Sequence, residues 1–183
     1  MKKKTLLLSE VYRLLEPGPV VLLTTVRAGR ANVMPMSWHL MMEFTPPLVG
    51  CVVSNGNYSF ASLKASRECA INIPTVELAK TVVACGNVTG QSVDKFKKFG
   101  LTALPAKCVK APLIAECYAS LECKVVEVKL VTKYNFFILE VVKAWIDPTQ
   151  KRPQTIHHQG EGEFMVAGRT LHLPSPKTSL GGK

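Results

Sequence analysis

Asn32-Val33-Met34-Pro35-Met36-Ser37-Trp38, followed by Thr45-Pro46-Pro47-Leu48-Val49-Gly50, is the stretch on which the reading of this chain turns. It falls where the second strand of a hairpin belongs, after the branched run Val20-Val21-Leu22-Leu23-Thr24-Thr25-Val26 and the turn Arg27-Ala28-Gly29-Arg30. Pro35 cannot donate to a strand ladder, so two readings stand: an edge strand with a bulge, or a strand whose backbone is left free beside a ligand. Free N–H and C=O groups could read the edge of a flat heterocycle there, while Met34, Met36 and Trp38 cover its faces.

Working outward, a third strand is expected over 48–54, giving an antiparallel meander. Asn57 stands as N-cap of a short helix over 58–66, followed by a buried strand over 69–73 closed by Pro74. Thr75 is expected to cap a helix over 76–84, stopped by Gly86, and Ser92 to cap another that ends at Gly100. Two long strands, 119–131 and 135–145, complete the core before Asp147-Pro148. A short amphipathic opening around Val11, Leu14 and Leu15 precedes Pro17-Gly18-Pro19. The fold class is therefore mainly β with inserted helices, a closed antiparallel barrel with helical excursions.

The domain is expected to occupy 1–148, with 149–183 as a polar tail that docks through the patch around Phe164 on the barrel or on a partner. With 183 residues, 47% hydrophobic content and no apolar run near the about 20 residues of a membrane span, a soluble globular protein is expected. Met1-Lys2-Lys3-Lys4 opens like a signal peptide, but the apolar run stops at Ser9-Glu10, and it reads as a mature N-terminus. Six cysteines without a C-x-x-C pair point to a reducing cytoplasm, and His157-His158 lies far from all of them, so no metal site is expected.

The formal charge of +10 is spread over scattered lysine clusters, and aromatic content is only 7%, which argues against nucleic acid and for small phosphate-bearing ligands. A bound flavin mononucleotide (FMN) needs a slot for its ring, backbone groups at its pyrimidine edge and a cationic place for its phosphate. The chain offers the 32–38 segment for the first two. For the third it offers Ser54, Tyr58 and Ser59 where a strand turns into a helix N-terminus, with Lys95 adding charge.

The order of these pieces resembles the flavin reductase-like, FMN-binding split-barrel family, which includes the flavoredoxins and the reductase components of two-component flavin monooxygenases. The resemblance runs over about residues 19–170. Besides the two opening motifs it rests on Ser54 with Asn57-Tyr58-Ser59, Ala70-Ile71-Asn72-Ile73-Pro74, Cys85-Gly86, Gly90-Gln91-Ser92-Val93-Asp94-Lys95-Phe96 and Ala111-Pro112-Leu113-Ile114-Ala115-Glu116-Cys117. It implies a split antiparallel β-barrel and a homodimer, with FMN held near the subunit interface.

By the same resemblance the ring lies against Asn32, Met34, Pro35, Met36, Ser37 and Trp38. The phosphate lies near Ser54, Asn57, Tyr58 and Ser59, while Asn72, Cys85, Gly86, Ser92 and Lys95 line or close the site. The implied activity is hydride transfer from NAD(P)H to the flavin and on to an acceptor such as a redox protein, hence an oxidoreductase. The alternative is a non-enzymatic flavin-binding electron carrier. No catalytic residue is named, because the cofactors carry the hydride. Phe164 and His157-His158 of the tail are placed over flavin or substrate, reaching toward the neighbouring subunit.

Overall fold

The branched residues behind Pro19 form the strand on which the sheet is built. The computed structural model describes residues 3–11 and 18–173; the amphipathic opening around Leu14 and Leu15 lies outside them. Strand β1 is Lys4–Leu6, β2 is Val21–Arg27 and β3 is Arg30–Met36. Ala28 and Gly29 turn the β2–β3 hairpin with φ of 49° and 73°. Two residues later β4, His39–Phe44, begins, and a cis Thr45–Pro46 peptide leads into β5, Pro47–Val52. Strand β4 was not expected: Leu40 and Met42, exposed at 50% and 41%, break the polar–apolar alternation that would have marked it.

Helix α1, Tyr58–Ser66, follows as expected and leads to β6, Glu68–Ile73. The expected helix over 76–84 divides into a 3₁₀ turn, Val76–Leu78, and α2, Ala79–Gly86. Thr75 does not cap the backbone, since its hydroxyl donates to the Glu77 carboxylate. The next helix, α3, is Lys95–Phe99, and its cap is Asp94, which accepts from Lys97 N at 3.1 Å, rather than the expected Ser92. A small ladder of β7, Ala103–Leu104, and β8, Leu113–Ile114, precedes β9, Ala119–Glu127. The turn α4, Val131–Tyr134, then leads into β10, Phe136–Ile146. The tail forms a hairpin of β11, Ile156–Gly160, and β12, Glu163–Val166.

The main sheet runs β3-β2-β6-β9-β10-β5-β4, antiparallel throughout, with β1 added beside β10. Its end strands β3 and β4 do not pair, so the barrel is split along that seam rather than closed. Alternate residues of the strands meet inside: Val21, Leu23, Met36, Ile71, Leu121, Leu139 and Val49 share one core with Leu63 of α1. The opposite face of β2 and β3 carries Leu22 and Val33, which pack under Val82 and Cys85 of α2 together with Ile156 of the tail. Among the described residues no helix is long and apolar enough to cross a membrane.

Candidate functional site

The register of β3 on β2 is unbroken from Arg30 to Met36, straight through Pro35 opposite Leu22. The segment is therefore a regular edge strand without a bulge, and the proline nitrogen faces the flank that no strand occupies. Along that free flank lies a cavity of about 400 Å³. Its walls are Asn32, Met34 and Pro35 of β3, Gly56, Asn57, Tyr58 and Ser59 at the start of α1, and Cys85 to Gly90 with Lys95 across from them.

Three buried polar groups define its floor. Asn32, 3% exposed, donates through Nδ2 to Ser59 Oγ at 2.8 Å, and its Oδ1 has no partner among the described residues. Because Ser59 Oγ already accepts that bond, its own O–H is free to donate into the cavity. Lys95, 4% exposed, donates from Nζ to the Cys85 carbonyl at 2.7 Å, and no carboxylate pairs with it among the described residues. Burial pushes the Lys95 ammonium below its usual range, with the Cys85 thiol acting weakly against that shift. The Cys85 thiol is itself pushed up to about 11 by burial, so it is protonated packing material and not a nucleophile.

A cation without a counterion, a free hydroxyl donor and the uncapped first turn of α1 converge on one volume. That combination attracts an anion. The orphan Asn32 Oδ1 beside it calls for a donor such as a ligand hydroxyl.

A second hollow of about 370 Å³ adjoins the first and shares Pro35, Gly86 and Asn87 with it. Met36, Ser37, Val20, Val82 and Val83 line it on the barrel side, and His158, Gly162 and Phe164 of the tail hairpin line it from outside. Apolar walls with few polar groups suit a flat ring, whereas the first cavity suits a charged end.

Among the residues expected at a cofactor, Asn32, Met34, Pro35, Asn57, Tyr58, Ser59, Cys85, Gly86 and Lys95 meet at the first cavity, and Met36 and Ser37 at the second. Four fall elsewhere. Trp38 is 71% exposed and lines neither hollow. Ser54 is exposed and shapes the turn before α1, accepting from Gly56 N at 3.3 Å through Oγ. Asn72 is fully buried two strands in from the edge, where Leu22 O, Thr24 Oγ1, Ile114 N and Ser120 Oγ satisfy its amide. Ser92 is exposed and lines neither hollow.

Sequence reasoning missed the loop Asn87-Val88-Thr89-Gly90, which forms one whole wall. Its signal was Gly90: a Cβ there would come within 2.0 Å of Asn32 Oδ1, so only glycine lets the loop close on the strand.

Comparison with known proteins agrees with the fold. Residues 13–164 match the flavin reductase like domain. The uncharacterised Escherichia coli (strain K12) protein YddH is 30% identical over 178 residues, covering 90% of this chain and 94% of that protein. An uncharacterised Archaeoglobus fulgidus protein is 34% identical over 113 residues, which span 62% of this chain and 64% of that relative, just under two thirds of its length. Among solved structures, an FMN-binding domain of a flavin reductases-like enzyme from Shewanella baltica OS155 superposes with a TM-score of 0.87 at 25% identity, covering 94% and 98% of the two chains. The flavoredoxin of Desulfovibrio vulgaris (Miyazaki F) gives 0.78 at 23% identity, covering 85% and 90%, a likeness of fold. With a split antiparallel barrel of that architecture and a family match over most of its length, the chain belongs to the flavin reductase like domain family.

Proposed function

We propose that the chain is an FMN-binding flavoprotein that takes hydride from NAD(P)H and passes electrons to an acceptor. The observation that carries the reading is Lys95: a buried ammonium facing a cavity with no carboxylate beside it among the described residues. A phosphate ester answers that charge. Lys95 and the Ser59 hydroxyl would hold the phosphate at the first turn of α1, and Asn32 Oδ1 would accept from a hydroxyl of the sugar-alcohol chain. Pro35, Met36 and Ser37 in the adjoining hollow would carry the ring. When bound, the flavin supplies the hydride and electron chemistry, and the protein's part is to bind, orient and exclude water. No side chain is assigned a proton-transfer role.

The +10 charge is then accounted for by two phosphate-bearing nucleotides rather than by nucleic acid. The same reading makes the protein a cytoplasmic homodimer. Support comes from the exposed apolar residues Trp38, Leu40 and Met42 on and beside the edge strand β4, and from six free cysteines.

The test is an absorption spectrum of the purified protein and a fluorescence titration with FMN, followed by anaerobic addition of NADH and NADPH. A saturable yellow complex bleached by either nucleotide is the expected result. Absence of flavin binding overturns the proposal. Binding without bleaching leaves the electron-carrier alternative, which also has a flavoredoxin from Methanosarcina acetivorans at 27% identity and TM-score 0.72 among its structural relatives.

A further inference from the structure

No ladder crosses the seam between β3 and β4, and the chain passes from one to the other through Ser37 and Trp38. A side chain bridges the gap at that end. His39, the first residue of β4, reaches Pro19 in front of β2, with its Nε2 2.6 Å from the Pro19 carbonyl oxygen. The same peptide unit is held from its other side, because Val20 N donates to Ile156 O at 2.7 Å, and the tail is seated further by Val76 N donating to Gln154 O at 2.8 Å. One peptide thus joins β4 to the tail hairpin, and Val20 and Ser37 at its two flanks both line the second hollow.

A carbonyl only accepts, so His39 Nε2 carries the proton of that bond and Nδ1 is a bare acceptor. Nδ1 is sealed from solvent and has no partner among the described residues. A second proton would have to go there, placing an N–H without an acceptor and a positive charge where water does not reach. The groups around the ring do not offset it. The register sets Cys51 of β5 opposite His39, with its thiol kept neutral by burial, and Glu43, the acid of β4, accepts from the Phe44 amide at the strand's other end. Burial lowers the His39 pKa below its usual range, with the Pro19 carbonyl pulling the other way and no charged group among the described residues contributing.

We propose that His39 is a positioning residue for the cofactor ring: uncharged, it holds the Pro19–Val20 peptide and keeps the second hollow in shape, and on gaining a proton it lets go, so that the protein loosens its grip on the flavin in mild acid. His39 lines neither hollow and acts through that peptide. The sign follows from burial. A ring freed from the seam has histidine's ordinary affinity for a proton and the held ring a lower one. Each pH unit below 6.5 therefore favours the open seam by up to about tenfold, until the held ring is itself protonated. The inference rests on the FMN reading, since that reading puts the flavin ring in this hollow.

The experiment is a fluorescence titration of the full-length protein with FMN at pH 7.5 and pH 5.5, with His39→Gln and His39→Ala alongside. The FMN phosphate titrates over this range in every variant, so the difference between variants is what counts. In the unchanged protein the dissociation constant should rise between the two pH values by about three- to tenfold more than in His39→Gln, whose amide can donate to Pro19 O but takes up no proton. His39→Ala, without a donor, should bind about three- to tenfold more weakly than the unchanged protein at pH 7.5, and His39→Gln should recover most of that loss. An acid loss equal in the unchanged protein and His39→Gln overturns this inference alone. Proton NMR of the unchanged, FMN-free protein gives a reading that needs no variant: the His39 ring should titrate below 6.5, and titration at or above that value overturns the inference as well. Failure of the unchanged protein to bind FMN at pH 7.5 overturns it together with the reading beneath it.

Discussion

Lys95 keeps an ammonium in a place that water barely reaches, 4% exposed and bonded only to a carbonyl. Its pKa is lowered by burial, so the unfolded chain holds that proton more readily than the folded one, and the ligand-free protein bears the cost at neutral pH. Lys95→Met should therefore raise the urea midpoint of the ligand-free protein. It should also weaken FMN binding by about 1.5–3 kcal/mol, the loss of a charge-assisted hydrogen bond, read by fluorescence titration. Gly90→Ala makes a sharper claim. Its Cβ would collide with Asn32 Oδ1, so Asn32 must abandon Ser59, and both stability and FMN affinity should fall by about 1–3 kcal/mol. Ser59 and Lys95 stood out in the sequence because their types suit an anion, and Asn32 because it opens the proline-bearing strand; the structure brings the three to one cavity. Asn72 lines neither hollow: strand parity says that a residue faces one side of a sheet, not which side holds the cavity, and its amide accepts from Ile114 N under the outer layer. Trp38 stands off both hollows, two residues past the end of strand β3.

Helix α3 shows how elements decide between equal-looking signals. Ser92 and Asp94 both satisfy a cap pattern, but the helix starts at Lys95, and the Asp94 carboxylate accepts the Lys97 amide at 3.1 Å. Asp94→Ala should cost about 1 kcal/mol in urea denaturation and loosen the turn that aims Lys95, whereas Ser92→Ala should change stability by less than about 0.5 kcal/mol. Strands with branched or alternating residues, β2, β6 and β10, were readable to within a few positions. The strand β4 was not, because its side chains at the split seam are apolar on the open side, where a pattern of one buried face has nothing to report. Glu122 is a further element-scale feature without a local signature. Buried in β9, it accepts from the Lys107 and Cys108 amides and from Trp145 Nε1, and so pins the irregular stretch before β8.

For the whole molecule the buried thiols govern the alkaline limb of stability. Burial raises Cys117 to about 12 and Cys51 still higher, while Cys69 is raised first by its hydrogen bond to Cys123 and then by burial. Above about pH 9 the unfolded chain releases thiol protons that the folded chain keeps. Stability should thus fall with rising pH, by about 1.4 kcal/mol per unit for each such thiol. Lys3, lowered to about 8 by burial, and Lys95, lowered likewise, act in the opposite sense below their ordinary value of 10.5 and offset part of the thiols' share. Urea midpoints at pH 8 and pH 10 should show the decline, and Cys117→Ala should flatten it by one thiol's contribution; an unchanged slope refutes the assignment.

The backbone ties at Gln154 and Ile156 give the tail hairpin a role that its polar composition conceals. It is closer to a clasp than to a trailing end. Val76 leads directly into the helix that carries Cys85 and Gly86, so severing the chain after Pro148 would leave that amide and Val20's without acceptors and strip the seat of Ile156 bare. Shortening the protein to its apparent core would in this way be felt at the lip of the anion cavity, although no atom of that lip had been removed.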